Sequence, residues 1–146
     1  MSSVPTVPRQ LPVPYGPPIS LELAKLVMAA AEVEADANNL PQAIAIVDSG
    51  GNLVMLHRLN QADLGSVSVA QSKAQTAVNF RVTTKVLGEV LSSGWLALLS
   101  VSNLVLVEGG LPIIVAGQIV GAIGVAGMEP TQDFQVAAAG VAAAQN

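Results

Sequence analysis

The sequence predicts one domain of the α/β (α+β) class, with a five-stranded antiparallel sheet flanked by helices in an α-β-α sandwich. The chain has 146 residues, of which 51% are hydrophobic and 11% charged, enough apolar material for a single core. Residues 104–127 contain runs rich in Val and Ile separated by turn signals at 108–110 and 116–118, a pattern typical of three successive strands. Segments of helical periodicity lie on both sides of that meander.

The N-terminal residues 1–18 contain six prolines, which favour an extended arm because proline lacks a backbone donor. This arm is either a loose tail or a segment that reaches a neighbouring subunit. The single domain then covers residues 19–146. It opens with a helix over 20–38, since Ser20 is a good N-cap, apolar residues recur at helical spacing and two asparagines follow.

Two strands are predicted next, over 43–47 and 53–59, joined by a Gly-rich turn at 48–52. Both faces of the second strand are largely apolar, so both are expected to be covered. A loop at 60–63 precedes a helix over 66–80 and a shorter helix over 84–91. The apolar stretch 95–107 is expected to be a buried strand, and Pro130 opens a last helix that ends near residue 144. This order of elements fits profilin-like folds.

The composition narrows the classes of partner. The formal net charge is −4, with only six Lys and Arg, so nucleic acid is not expected as a partner. No secretory signal is visible and stretch 95–107 is too short to span a bilayer, so a cytoplasmic protein without membrane contact is expected. High apolar content in so small a chain predicts a homo-oligomer.

His57 is the only histidine, which excludes a metal site built from two histidines within one subunit, and cysteine is absent. No metal site is therefore predicted. His57 is either a hydrogen-bonded histidine of the core or of an interface, or a catalytic or haem-binding residue, and it is the only imidazole available for haem.

A cationic cluster is the main candidate site. Lys73 is flanked at helical spacing by alanines, so its ammonium is expected to be shielded and to need an anion. Arg58 and Arg81 can converge with Lys73 on a carboxylate ligand, or the three can form separate surface ion pairs.

Two acids and a set of glycines complete the candidates. Glu108, beside Gly109 and Gly110, is a possible general acid or base at a pocket rim. Asp133 lies near the N-terminus of the last predicted helix, where its negative charge is expected to interact favourably with the helix dipole. The glycines at 121, 124 and 127 fit no nucleotide-binding motif and more simply predict close approach of another element.

Four blocks of sequence resemble the GlcG-like and HbpS-like family, also called a haem-degrading domain family. They are residues 46–53 (IVDSGGNL), residues 64–74, residues 109–113 (GGLPI), and residues 121–127 (GAIGVAG) followed by Gln132 and Asp133. The resemblance implies a profilin-like fold, a homo-oligomer and members that bind or degrade haem. It places six residues on family-pattern positions: Arg58, Lys73, Gly109, Gly110, Pro112 and Asp133.

The chain departs from the family pattern at two places. The usual Arg-Met-Asp-Gly after the second strand is RLNQ at residues 58–61, and the usual Gly-Val-Ser-Gly-Gly is GVAGM at 124–128. An acid and a hydroxyl of the family pattern are therefore missing.

The sequence leaves three hypotheses. The first is a small cofactor-free enzyme, of hydrolase or isomerase type, acting on a small carboxylated metabolite of a catabolic pathway. In it Lys73 and Glu108 are catalytic, and Arg58, Arg81, Gly109, Gly110 and Pro112 bind substrate. The second is a haem-binding or haem-degrading protein with His57 or a methionine as axial ligand. The third is a non-catalytic accessory protein.

Overall fold

The computed structural model describes residues 12–145. The elements in chain order are α1 Leu21–Ala37, β1 Ala43–Asp48, β2 Leu53–Arg58, α2 Ser66–Phe80, α3 Thr84–Ser92, a 3-10 helix Leu96–Ser100, β3 Gly110–Val115, β4 Gln118–Ala126 and α4 Pro130–Ala143. The described part of the chain thus has a mixed α/β fold with an antiparallel sheet and four α-helices. The predicted helices and the first two strands are confirmed to within a few residues.

Within residues 12–145 the sheet has four strands in the order β2-β1-β4-β3, so the prediction of five strands is wrong. The missing strand was expected at 104–107. There the backbone N–H of Val105 donates to Thr76 Oγ1 at 3.1 Å, and Gly88 of α3 packs against the carbonyl of Leu106. The segment therefore runs along α2 and α3 and bonds to a side chain rather than to a neighbouring strand.

Helices cover both faces of the sheet. Helices α1 and α4 pack on one face, where the main core contains Met28, Ile44, Ile123 and Val136. Helix α2 covers the other face through alanines, including Ala70 and Ala74. The fold places β1 and β4 in the centre, where nearly every residue is buried, and leaves β2 at an edge.

The helix ends follow from local sequence. Ser20 caps α1 by accepting a hydrogen bond from the N–H of Leu23 at 3.1 Å, as its residue type predicts. Helix α4 begins at Pro130 behind a capping box of Glu129 and Gln132. This start fixes Asp133 in the first turn of α4, where the residue is buried.

Part of the predicted N-terminal arm is held by the chain's own sheet. The N–H of Gly16 donates to the carbonyl of Ile119 at 2.8 Å, and the N–H of Ile119 donates to that of Pro14 at 2.8 Å. The Tyr15 hydroxyl donates to the carbonyl of Val78 at 2.7 Å. Residues 12–18 are therefore not a loose tail, while residues 1–11 of the predicted arm lie outside the described residues.

The stretch 95–107 differs from its prediction as a buried strand. It forms the 3-10 helix and irregular backbone, and Trp95, Leu96 and Leu99 are each at least 60% exposed. No helix within residues 12–145 is long and apolar enough to cross a membrane.

Candidate functional site

Two cavities contain four of the sequence-predicted residues. The first, which we call the groove, has a volume of about 780 Å³ and lies between the second half of α1, the edge strand β2 and residues 59–61. The second, which we call the cleft, has a volume of about 350 Å³ and lies between the starts of α2 and α4. His57 and Arg58 line the groove, and Lys73 and Asp133 line the cleft.

Lys73 and Asp133 form a buried ion pair at the base of the cleft. Lys73 Nζ lies 3.1 Å from Asp133 Oδ2 and donates to the carbonyl of Val125 at 2.9 Å. Asp133 Oδ1 accepts from Gln42 Nε2 at 2.9 Å and from the N–H of Met128 at 3.1 Å. Both charged side chains are 3% exposed, so this network joins α2, α4 and the strand between them.

Burial dominates the ionisation of this pair. Desolvation lowers the pKa of the Lys73 ammonium, and the nearby carboxylates of Asp133 and Glu108 oppose that shift. Desolvation likewise raises the pKa of the Asp133 carboxyl, against the attraction of Lys73 and the hydrogen bonds from Gln42, Lys73 and Met128. Both directions show that removing the two charges from water outweighs their attraction, as is common for buried pairs.

The glycine pair packs directly against Lys73. Gly109 has a φ of +132°, and a Cβ there would lie 2.9 Å from Lys73 Nζ. A Cβ at Gly110 would overlap the carbonyl of Lys73, and the N–H of Gly110 donates to Thr84 Oγ1 at 2.9 Å. Both glycines are thus required for close approach to the α2 backbone and to the ammonium.

The predicted cationic cluster does not form. The anion that Lys73 needs is Asp133 of the same chain. The Arg81 guanidinium lies over the Tyr15 ring, 5.1 Å from its centroid, and Arg58 lines the groove rather than the cleft. The cause is topological, because β2 is an edge strand while α2 ends, at Phe80, beside the N-terminal segment.

The structure places the remaining predicted residues close to Lys73 or outside both cavities. Glu108 is half-buried and close enough to Lys73 to affect its pKa, but it does not line the cleft. Pro112 lies in β3 opposite Ala122 and lines neither the cleft nor the groove.

The groove presents a paired histidine. His57 Nδ1 is hydrogen-bonded to Glu32 Oε1 of α1, and the side chain of His57 is 45% exposed. Within residues 12–145 no hydrogen-bond partner occupies Nε2 of His57. A carboxylate on one ring nitrogen fixes the tautomer and leaves the other nitrogen free, the arrangement seen in metal-ligating histidines.

The groove is lined by both apolar and polar side chains, and seven of its twelve lining residues are polar or charged. Five of its lining residues are apolar: Ala35, Leu40, Pro41, Leu56 and Leu59. Arg58 supplies a cation at its wall. Its volume lies within the range of cofactor sites. Among residues 12–145 no group of three His, Asp or Glu side chains is arranged to hold a metal ion on its own.

Three residues of the cavities and of the Asp133 network are not among the sequence-predicted site residues: Glu32, Gln42 and Ser66. Gln42 stands between Pro41 and an apolar strand, and a polar residue there signals a buried hydrogen bond. Glu32 carries no such signal, because its pairing with His57 depends on how α1 lies against β2.

The chain matches a known protein family over most of its length. A family model described as haem degrading protein HbpS-like matches residues 19–142. Protein GlcG of Escherichia coli K12 is 39% identical over 107 residues, covering 73% of this chain and 80% of GlcG.

Two solved structures have the same fold. The crystal structure of HbpS superposes with a TM-score of 0.80 at 31% identity, covering 87% of this chain and 90% of that one. The crystal structure of a PduOC–haem complex gives a TM-score of 0.79 at 28% identity, covering 86% and 94% of the two chains.

Proposed function

This chain belongs to the family described as haem degrading protein HbpS-like, and from that membership we propose that it binds haem in the groove. The observation that carries the proposal is the His57–Glu32 pair in the wall of a cavity of about 780 Å³. The similarity to a PduOC–haem complex and to HbpS supports haem as the ligand.

The residues of the groove fit a haem. His57 would bind the iron through Nε2, while Glu32 holds the imidazole ring in place through Nδ1. The guanidinium of Arg58 would pair with a propionate, for which its geometry is well suited. The apolar side chains of the groove would pack against part of the porphyrin, and bound haem supplies iron-centred ligand binding and electron transfer.

The enzyme hypothesis loses its structural basis. The predicted hydrolase or isomerase needed Lys73 as a free cation for a substrate carboxylate, but Asp133 already neutralises it. The description of the family model and the name of the PduOC complex mention haem, and neither supports hydrolase chemistry or a catabolic role. The prediction of a cofactor-free protein is not supported either.

Self-association is part of the proposal. Trp95, Leu96 and Leu99 form an exposed apolar surface on the 3-10 helix, and residues 95–107 contain no charged side chain. Exposed apolar residues clustered in this way mark an interaction site more often than a monomer surface. Since the chain has a net charge of −4, an uncharged patch is also where two copies repel each other least.

Titration with ferric haem followed by absorbance tests the proposal. The parent is expected to shift the Soret band of the added haem and to bind one haem per chain. His57→Ala is expected to weaken haem binding by at least about tenfold, since changing a residue that only supports a metal ligand already costs that much. Glu32→Gln should weaken it less and alter the spectrum of the complex, because the ring keeps its nitrogen but loses its carboxylate.

Glu34→Gln is the matched control, because Glu34 lies on the same helix but bonds to Asn38 and Gln135 instead of His57. Binding that is unchanged in His57→Ala, or equally weakened in Glu34→Gln and Glu32→Gln, would overturn the assignment of the groove.

A further inference from the structure

The cleft is a second cavity, separate from the proposed haem groove. The two cavities share no lining residue. The cleft is lined by Asp63, Gly65, Ser66, Val69, Lys73, Val107, Ala126, Gly127, Met128 and Asp133. Its volume of about 350 Å³ lies at the lower end of the range for small-molecule sites.

Two hydrogen-bond donors at the base of the cleft are unused. Ser66 is 6% exposed, and no residue within 12–145 is hydrogen-bonded to its hydroxyl. Lys73 Nζ carries three N–H donors, of which two go to Asp133 and Val125. Each group can therefore donate one further hydrogen bond, and both favour a ligand atom that accepts.

The N-terminus of α2 also favours a ligand atom that accepts hydrogen bonds. Ser66 is the first residue of the helix, and the N-cap Gly65 has no side chain to cap its N–H groups. The positive end of the helix dipole therefore lies beside the Ser66 hydroxyl, and it favours an oxygen acceptor at that point.

The local charges disfavour an anion as the ligand. Asp133 neutralises Lys73 at 3.1 Å, Glu108 lies near the same ammonium, and Asp63 lines the cleft. A carboxylate would meet at least as much negative as positive charge, whereas a neutral carbonyl oxygen accepts the same hydrogen bonds without that repulsion.

The rim of the cleft is apolar. Val69, Val107 and Met128 line it and are between 38% and 46% exposed. Such side chains can cover a short alkyl chain while a polar group points to the base.

We propose that the cleft binds a small neutral carbonyl compound. The carbonyl oxygen accepts from the Ser66 hydroxyl and the free N–H of Lys73, and the alkyl part lies against Val69, Val107 and Met128. The proposal involves binding only and does not depend on haem.

The test uses butanone and propanoate, which have the same shape but differ by replacement of a methyl group by a charged oxygen. Amide NMR spectra of the full, isotope-labelled chain are recorded without haem while each is added. Butanone is expected to shift the amides of Ser66, Gly127 and Met128, and propanoate is expected to shift them less at equal concentration.

Variants locate the binding. Ser66→Ala should weaken butanone binding by roughly fivefold, the value of one hydrogen bond. Val69→Asp puts a charge on the exposed rim and is likewise expected to weaken butanone binding. Ser68→Ala is the control, because its exposed hydroxyl donates to the carbonyl of Gly65 and does not line the cleft.

Two results would overturn the proposal. Tighter binding of propanoate than of butanone would show that the cleft is an anion site. Butanone shifts that are absent, or unaffected by both Ser66→Ala and Val69→Asp, would show that no such site exists.

Discussion

The Lys73–Asp133 pair illustrates how a single buried charge constrains the residues around it. Its four hydrogen bonds join the sheet to α2 and α4, and the glycines at 109 and 110 are needed to leave room for the lysine. Removing one partner leaves the other charge buried without compensation, which is far more costly than never having buried the pair.

Lys73→Met is expected to lower the free energy of unfolding by about 3–5 kcal/mol near neutral pH. The difference in the free energy of unfolding between Lys73→Met and the parent should shrink as the pH falls. Burial raises the pKa of Asp133 above its unfolded value, and loss of the lysine raises that pKa further, so Asp133 becomes neutral at a higher pH in the variant. A raised folded pKa favours the folded state at low pH, and this gain is lost as the pH rises.

Urea unfolding near pH 7 and near pH 5 measures this effect. Lys25→Met is the control, because Lys25 is exposed on α1 and should change stability by no more than about 0.5 kcal/mol. A deficit in Lys73→Met that is equally large at both pH values would contradict the account of the pair.

At the scale of elements, the contact of α2 with β4 depends on a strand glycine. A Cβ at Gly124 would overlap the carbonyl of Ala70 and would lie 2.5 Å from the N–H nitrogen of Ala74. The alanines of α2 and this glycine allow helix and strand to approach closely, as the sequence predicted for glycines within a strand.

Gly124→Ala should therefore destabilise the fold by about 1–3 kcal/mol or more, because backbone atoms rather than flexible side chains must move. Thermal unfolding compares it with Gly65→Ala. Gly65 has no atom within 4 Å of a built Cβ, so that control should change stability by less than about 1 kcal/mol. Equal stability of both variants would contradict the close packing of α2 on β4.

Most elements could be predicted from the sequence because their signals are local. Ser20 caps α1, Pro130 opens α4, and a Gly-rich turn separates β1 from β2. Residues 104–107 are different, since their apolar content predicts a strand while their hydrogen bond to Thr76 depends on tertiary packing.

The site residues could be predicted by type but not by grouping. The need of Lys73 for an anion was clear from its alanine neighbours, but that Asp133 meets this need depends on α4 returning across the sheet. Arg58 and Arg81 lie apart for the same reason, because spacing along the chain does not determine which sheet edge a strand occupies.

At the scale of the whole molecule, the exposed apolar surface predicts assembly. Leu96→Lys is expected to shift sedimentation toward the monomer, because the lysine would have to be desolvated between copies. Val33→Lys places the same cation at an equally exposed apolar position on α1 and should leave sedimentation unchanged. A monomeric parent, or an unaffected Leu96→Lys, would contradict self-association through this surface.

Binding of haem iron by His57 can be measured directly, because the sequence offers a single imidazole. Because the chain contains one histidine, growth with histidine carrying the heavy nitrogen isotope labels a single imidazole. Pulsed electron paramagnetic resonance of the ferric complex then detects that nitrogen if it binds the iron. We expect a strong isotope-dependent coupling in the parent; a bound haem whose spectrum does not change with the isotope would contradict binding of the iron by His57.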